Sequence, residues 1–224
     1  MGSGIKRAVV GGLIALMAVV GLVGAVPASA GAAAASWYDG IVKVGASQAV
    51  EGKSEFTMRA SLNGTAIKVF CNTSQTGTVS NNPAVGEGKI STVGFGEFCG
   101  LELPGAAFEN CFVSLKGAAL PWTLAASFTE PGPAFALALD GIKVELKFMT
   151  AIAVPVCPLN GQTFIAEGNL SGSWKNGAPT TVNFAEAEGI TVFNGAAKIG
   201  TAKVTDSIPF EDSEEKGAIK LATK

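Results

Sequence analysis

The chain has no histidine, a single tyrosine, only 15% charged residues and no two cysteines at CxxC spacing. Each absence excludes a chemistry. Without histidine the commonest general base and the usual zinc ligand are both missing, which rules out serine triads and helix-borne metalloprotease motifs. The four cysteines stand far apart, so no paired thiolates suggest a zinc site. Glycine is abundant, yet no glycine-rich phosphate loop joins a strand to a helix. There is no basic run, and a nucleic-acid surface needs clustered Lys and Arg to displace counterions. Nucleic acid, metal and cofactor are therefore not expected as partners.

Residues 1–30 read as a signal peptide. Lys6 and Arg7 form a positive start, Ala8 to Val26 an apolar run, and Ala28-Ser29-Ala30 a small-x-small cleavage site. Cleavage is expected between Ala30 and Gly31. The run is nearly long enough to be an uncleaved anchor, but its four glycines and the Pro27 ending suit a processed leader better. No second run of that length follows, so no transmembrane segment is expected after cleavage. The exported part would have 194 residues, with 14 basic against 18 acidic side chains and a net charge of −4. That length suits one domain. The expected organisation is a flexible lead-in over 31–36, GAAAAS, and a single domain over 37–224, secreted or held at the cell surface.

All four cysteines, Cys71, Cys99, Cys111 and Cys157, lie in the exported part, where an even number predicts two disulfides. Spacing does not choose among the three connectivities. The short loop CGLELPGAAFENC favours Cys99 with Cys111, which leaves Cys71 with Cys157.

Turn residues punctuate the chain. Asn63-Gly64, Asp140-Gly141, Asn160-Gly161, Asn176-Gly177 and Asn194-Gly195 supply the positive φ angles of tight hairpins, and most are flanked by β-branched or aromatic residues. Between them the sequence alternates. Phe56, Met58, Ala60 and Leu62 point one way, as do Ile67, Val69 and Cys71, and again Trp122, Leu124, Ala126 and Phe128. The stretch FALALDGIKVELKF, 135–148, reads as two strands about an Asp-Gly turn, with Leu139 facing Ile142, Leu137 facing Val144 and Phe135 facing Leu146. Its other face sets Ala134, Ala136 and Ala138 against Lys147, Glu145 and Lys143, a solvent face or a shallow binding surface. Six to ten such strands predict an all-β, disulfide-stapled antiparallel β-sandwich of two sheets, with a closed β-barrel as the alternative. The C-terminal EDSEEKGAIKLATK reads as an acidic loop before a last edge strand, or as a frayed tail.

Candidate chemical groups are few. Glu186 with Glu188, and Glu97 with Glu102 about Cys99, are the carboxylate pairs that a glycosidase would need. Glu211, Asp212, Glu214 and Glu215 form an acidic group without the alternating pattern of a calcium loop. Trp122 and Trp174 sit at core positions by spacing, whereas Trp37 and Tyr38 are not assigned. Buried tryptophans would support a structural role, and an exposed row would support stacking on sugars. Asn63, Asn72 and Asn169 begin sequons that matter only in a glycosylating host.

The order IKVFCNTSQTGTV, GKISTVGFGEFC and ALPWTLAA between residues 67 and 126 resembles a group of small exported bacterial proteins. Some of these are described as activators of alkane oxidation, and many are uncharacterised secreted proteins of actinobacteria. The shared features are the apolar-x-apolar-x-Cys strand ending at Cys71, the glycine-rich second strand and Leu120-Pro121-Trp122, over about a third of the exported chain. Two further cysteines and a longer C-terminal half set this chain apart. The resemblance implies a secreted β-protein without known catalysis, and it transfers no functional residue.

The leading expectation is thus a secreted or surface-associated, non-catalytic binding or structural protein. A carrier of an apolar small molecule is the first alternative, recognisable by a pocket lined with Phe and Leu. A carboxylate-based glycan hydrolase is the second, requiring two acids about 5 to 10 Å apart in an aromatic cleft.

Overall fold

A computed structural model describes residues 33–39, 42–45, 47–81, 86–103, 111–129, 134–150, 157–177, 180–213 and 218–223. The expected leader and its expected cleavage point at Ala30 and Gly31 lie outside the described residues. Thirteen strands and no helix occur among those described. They are β1 (Ala33–Asp39), β2 (Val42–Lys43), β3 (Gln48–Leu62), β4 (Thr65–Ser80), β5 (Glu87–Phe95), β6 (Cys99–Glu102) and β7 (Cys111–Gly117). There follow β8 (Trp122–Thr129), β9 (Ala134–Thr150), β10 (Thr163–Lys175), β11 (Thr180–Asn194), β12 (Ala197–Asp212) and β13 (Ile219–Thr223).

The all-β, antiparallel, sandwich-like architecture expected from the turns and the alternation is present, as one large sheet and one small. In the large sheet β8 pairs β5, and the ladder continues through β4, β3, β12, β11 and β10 to β9. β9 in turn pairs β8, so the layers facing each other across the core belong to one continuous sheet. The short strands β6 and β7 form a second bridge between the early part of β4 and the late part of β9. In the small sheet β1 is flanked by β2 and β13. Its Trp37 meets Trp174 of β10 edge-on at 5.0 Å, and Trp174 packs on Phe210 of β12. The small sheet therefore covers the Phe210 end of the core.

The alternation decides which residues enter that core. On β4 the buried positions run Ile67, Val69, Cys71, Thr73, Gln75, Gly77 and Val79, with more exposed residues between them. A strand with one face buried in this way has its register fixed, since a one-residue slip would turn the whole apolar set to water.

Several expectations change. Residues 135–148 do not form a hairpin, because β9 passes straight through Asp140-Gly141. Both halves pair with β10, Leu139 with Leu170 and Ile142 with Gly168, which leaves Asp140 and Gly141 opposite Asn169 alone. Two residues against one is a β-bulge, and Gly141 takes the left-handed conformation at φ 73° that such a bulge asks of glycine. Its N–H donates to Asn169 Oδ1 at 2.9 Å. The extra residue shifts the phase, so Leu137 and Leu139 before it and Ile142 and Leu146 after it are all buried. The long β10 template offers β9 eleven paired positions. A two-residue hairpin within 135–148 would offer about half as many.

The turn at Asn63-Gly64 holds, with both residues at positive φ between paired Leu62 and Thr65. The β11–β12 turn is displaced by one residue, since Asn194 pairs Ala197 and the loop is Gly195-Ala196. The described part of the 31–36 lead-in is regular structure. Ala33–Ser36 belong to β1, and Ala35 and Ser36 are buried. The C-terminal alternative of an edge strand is realised as β13.

Both disulfides form, but not in the favoured pairing, for Cys71 bonds Cys99 and Cys111 bonds Cys157. The ladder explains it. Val69 pairs Leu101 and Phe70 pairs Gly100, which sets Cys71 directly across from Cys99, with Cα atoms 4.7 Å apart. In the β6–β7 ladder Cys99 pairs Val113 instead, so the register carries Cys111 past it.

Candidate functional site

The facing layers do not fill the space between them completely. A cavity of about 100 Å³ remains, with walls drawn from β3, β4, β5, β7, β8, β9, β10, β11 and β12. Its lining is overwhelmingly apolar, including Phe56, Phe95, Leu115, Leu137, Leu146, Val182 and Phe184. The void is of the order of the ~150 Å³ engineered cavity that takes benzene or xenon, and smaller than the ~300 to 1,000 Å³ typical of larger ligands.

Three lining residues are polar: Thr73, Gln75 and Asp206. They sit on buried-face positions of β4 and β12, where the alternation would otherwise supply apolar side chains. With Ser54 of β3 they form a row across three neighbouring strands. Ser54 stands opposite Thr73 in the ladder, and their hydroxyl oxygens are 2.7 Å apart. Ser54 Oγ donates to Asp206 Oδ2 at 3.2 Å, the Ser207 N–H donates to Asp206 Oδ1 at 2.7 Å, and Gln75 Nε2 donates to Thr73 Oγ1 at 2.9 Å. Gly52 stands opposite Gln75 and leaves it room. A Cβ there would lie 2.7 Å from both Ile208 Cγ2 and Pro209 O, and 3.3 Å from Gln75 Oε1.

Burial pushes the Asp206 carboxyl up to about 6, against the opposing pull of its hydrogen bonds from Ser54 and from the Ser207 backbone. Between its ordinary value of 3.8 and about 6 the folded chain holds a proton that the unfolded chain has released. Stability contributed by this group therefore falls as pH rises through that window. Asp206→Asn is expected to flatten that part of the profile and to raise stability at pH 7 by about 1 to 3 kcal/mol. Urea unfolding of both proteins from pH 4 to 7 would test this, and parallel profiles would refute it.

The acids singled out by sequence are placed elsewhere. Glu186 pairs Arg59 at 2.6 Å, Glu188 pairs Lys203 at 2.7 Å and Glu102 pairs Lys68 at 3.0 Å, all on exposed faces. The hydrogen bond and charge of Lys203 hold the Glu188 carboxyl below its ordinary range. Glu97 is exposed beside Cys99. In the acidic C-terminal group Asp212 is buried and accepts from Gln48 Nε2, whereas Glu214 and Glu215 lie outside the described residues. No group of three potential metal ligands occurs among the described residues. Trp37, Trp122 and Trp174 are all buried, so no row of tryptophan is offered to a sugar. On the alanine face of β9, Ala136 and Ala138 are half-buried, and beyond them Lys143 pairs Glu167 at 3.1 Å.

Sequence reasoning missed Ser54, Thr73, Gln75 and Asp206. The signal was present, since continuing the Ile67, Val69, Cys71 alternation lands on Thr73 and Gln75, and the Val204, Ile208, Phe210 phase includes Asp206. Among the described residues no helix is long and apolar enough to cross a membrane. No protein-family model, curated protein or solved structure matches this chain.

Proposed function

We propose that this is an exported, non-catalytic binding protein, secreted or held at the cell surface, that carries a small apolar molecule inside its β-fold. The cavity carries the reading. Its walls are mostly apolar side chains, drawn from eight strands, and binding there replaces void with dispersion contacts. The two disulfides support an oxidising compartment, as does the leader read from the first thirty residues. The kinship with small exported bacterial proteins belongs to the same proposal. A purely structural role is the competing reading, favoured by the three buried tryptophans.

Benzene distinguishes the two. At ten times its Kd it should raise Tm by about 3 to 5 °C and shift the methyl resonances of Leu137, Leu146 and Val182. Ala166→Leu, which adds bulk to the lining, should remove both effects. No methyl shift at saturating benzene, or shifts that persist in Ala166→Leu, would overturn the carrier reading.

A further inference from the structure

Among the described residues one buried side-chain polar atom, Gln75 Oε1, has no hydrogen-bond partner. The residue is 8% exposed and lines the cavity. Which end of its amide is open follows from the rest of the row. An ionised Asp206 can only accept, so Ser54 must spend its one hydroxyl proton on it. Thr73 must then donate to Ser54, and its own oxygen accepts from Gln75. Only the amide NH2 can donate there, which leaves the carbonyl oxygen facing away from the row. The chain of hydrogen bonds is directional and ends at Gln75, a cavity-lining residue whose carbonyl oxygen accepts nothing.

Taking the cavity as the binding site, we propose that its ligand is a small, uncharged, single-ring molecule whose one hydrogen-bond donor, a phenol-type hydroxyl or a ring N–H, docks on Gln75 Oε1. Leaving a buried carbonyl unpaired is costly, and a ligand donor removes that cost while the ring occupies the apolar remainder. A neutral donor suits the site better than an ammonium, because the walls are otherwise apolar and burying a charge there costs far more than burying a hydroxyl. A carboxylate or phosphate does not fit, since it would set acceptor against acceptor. The volume limits the body to about one ring.

The test titrates the full exported chain at pH 7.5, where Asp206 is ionised, with phenol, fluorobenzene and benzene, followed by calorimetry and methyl spectra. Phenol and fluorobenzene are close in size and differ in the donor. Phenol is expected to bind about tenfold more tightly than fluorobenzene, the effect of one buried hydrogen bond. In Gln75→Leu that preference should vanish while benzene binds as well as before or better. Gln75→Leu removes the unpaired carbonyl together with the hydrogen bond to Thr73 Oγ1, two opposing effects, so its Tm should stay close to that of the parent. Equal binding of phenol and fluorobenzene by the unmodified protein would overturn the donor-head inference and leave the carrier reading standing. So would a phenol preference that survives Gln75→Leu. Failure of all three compounds to bind would overturn the carrier reading, and this inference with it.

Discussion

Removing the Cys111–Cys157 bridge with the Cys111→Ala/Cys157→Ala pair is expected to lower stability by about 4 kcal/mol. The bridge spans a sequence separation of 46, and the chain-entropy relation for a loop of that length gives about 4 kcal/mol from the freedom restored to the unfolded chain. Alanine is the right replacement because both sulfurs are buried, and a serine hydroxyl there would add a desolvation cost of its own. The Cys71–Cys99 bridge spans 28 residues and links strands that already share a ladder, so its removal should cost slightly less. Urea unfolding of the two double variants against the oxidised parent measures both. A Cys111→Ala/Cys157→Ala protein with an unchanged midpoint would show that the bridge contributes nothing to stability.

Leu137→Ala should destabilise by about 2 to 5 kcal/mol. The side chain is 1% exposed and projects into the cavity wall from β9. Its cross-strand neighbours are Ala126 on β8 and Gly172 on β10, which are too small to close over the space that truncation would leave. The cost should therefore lie towards the upper end, because it grows with the volume that does not collapse. Glu145→Ala, on the opposite face of the same strand, should stay within about 0.5 kcal/mol. Thermal and urea unfolding of the two variants side by side would decide it. Two neutral substitutions would mean that β9 does not present Leu137 to a packed interior.

The bulge at Asp140-Gly141 shows how local chemistry and tertiary context divide the work. Asp-Gly is a strong hairpin signal, and the apolar residues on either side match across an imagined turn as well as they match β10. Local preference requires only that Gly141 take a positive φ, and a bulge meets that need as fully as a turn does. The same ambiguity misled the cysteine assignment. A short loop makes Cys99–Cys111 entropically easy, but disulfide geometry needs the two Cα atoms within about 7 Å and their Cβ vectors converging, and the β4–β6 register grants that to Cys71.

By itself the sequence determined the class of structure. Period-two alternation, glycine turns and a lack of helical periodicity leave an antiparallel β-fold as the only way to bury one face of each strand, and four well-separated cysteines without histidine leave disulfides as their use. The same alternation runs on through Thr73, Gln75 and Asp206 and so carries them onto core faces, although the sequence reading did not single them out. Only the tertiary structure decided what those residues meet. β4, β3 and β12 are neighbours through pairings between segments far apart in the chain, and that order joins Thr73, Ser54 and Asp206 into one hydrogen-bonded row. Closure of the ladder from β9 back to β8 was likewise undecided by local pattern. Alternation says which face of a strand is buried but not which strand lies beside it, and the cavity exists only once the facing layers have met.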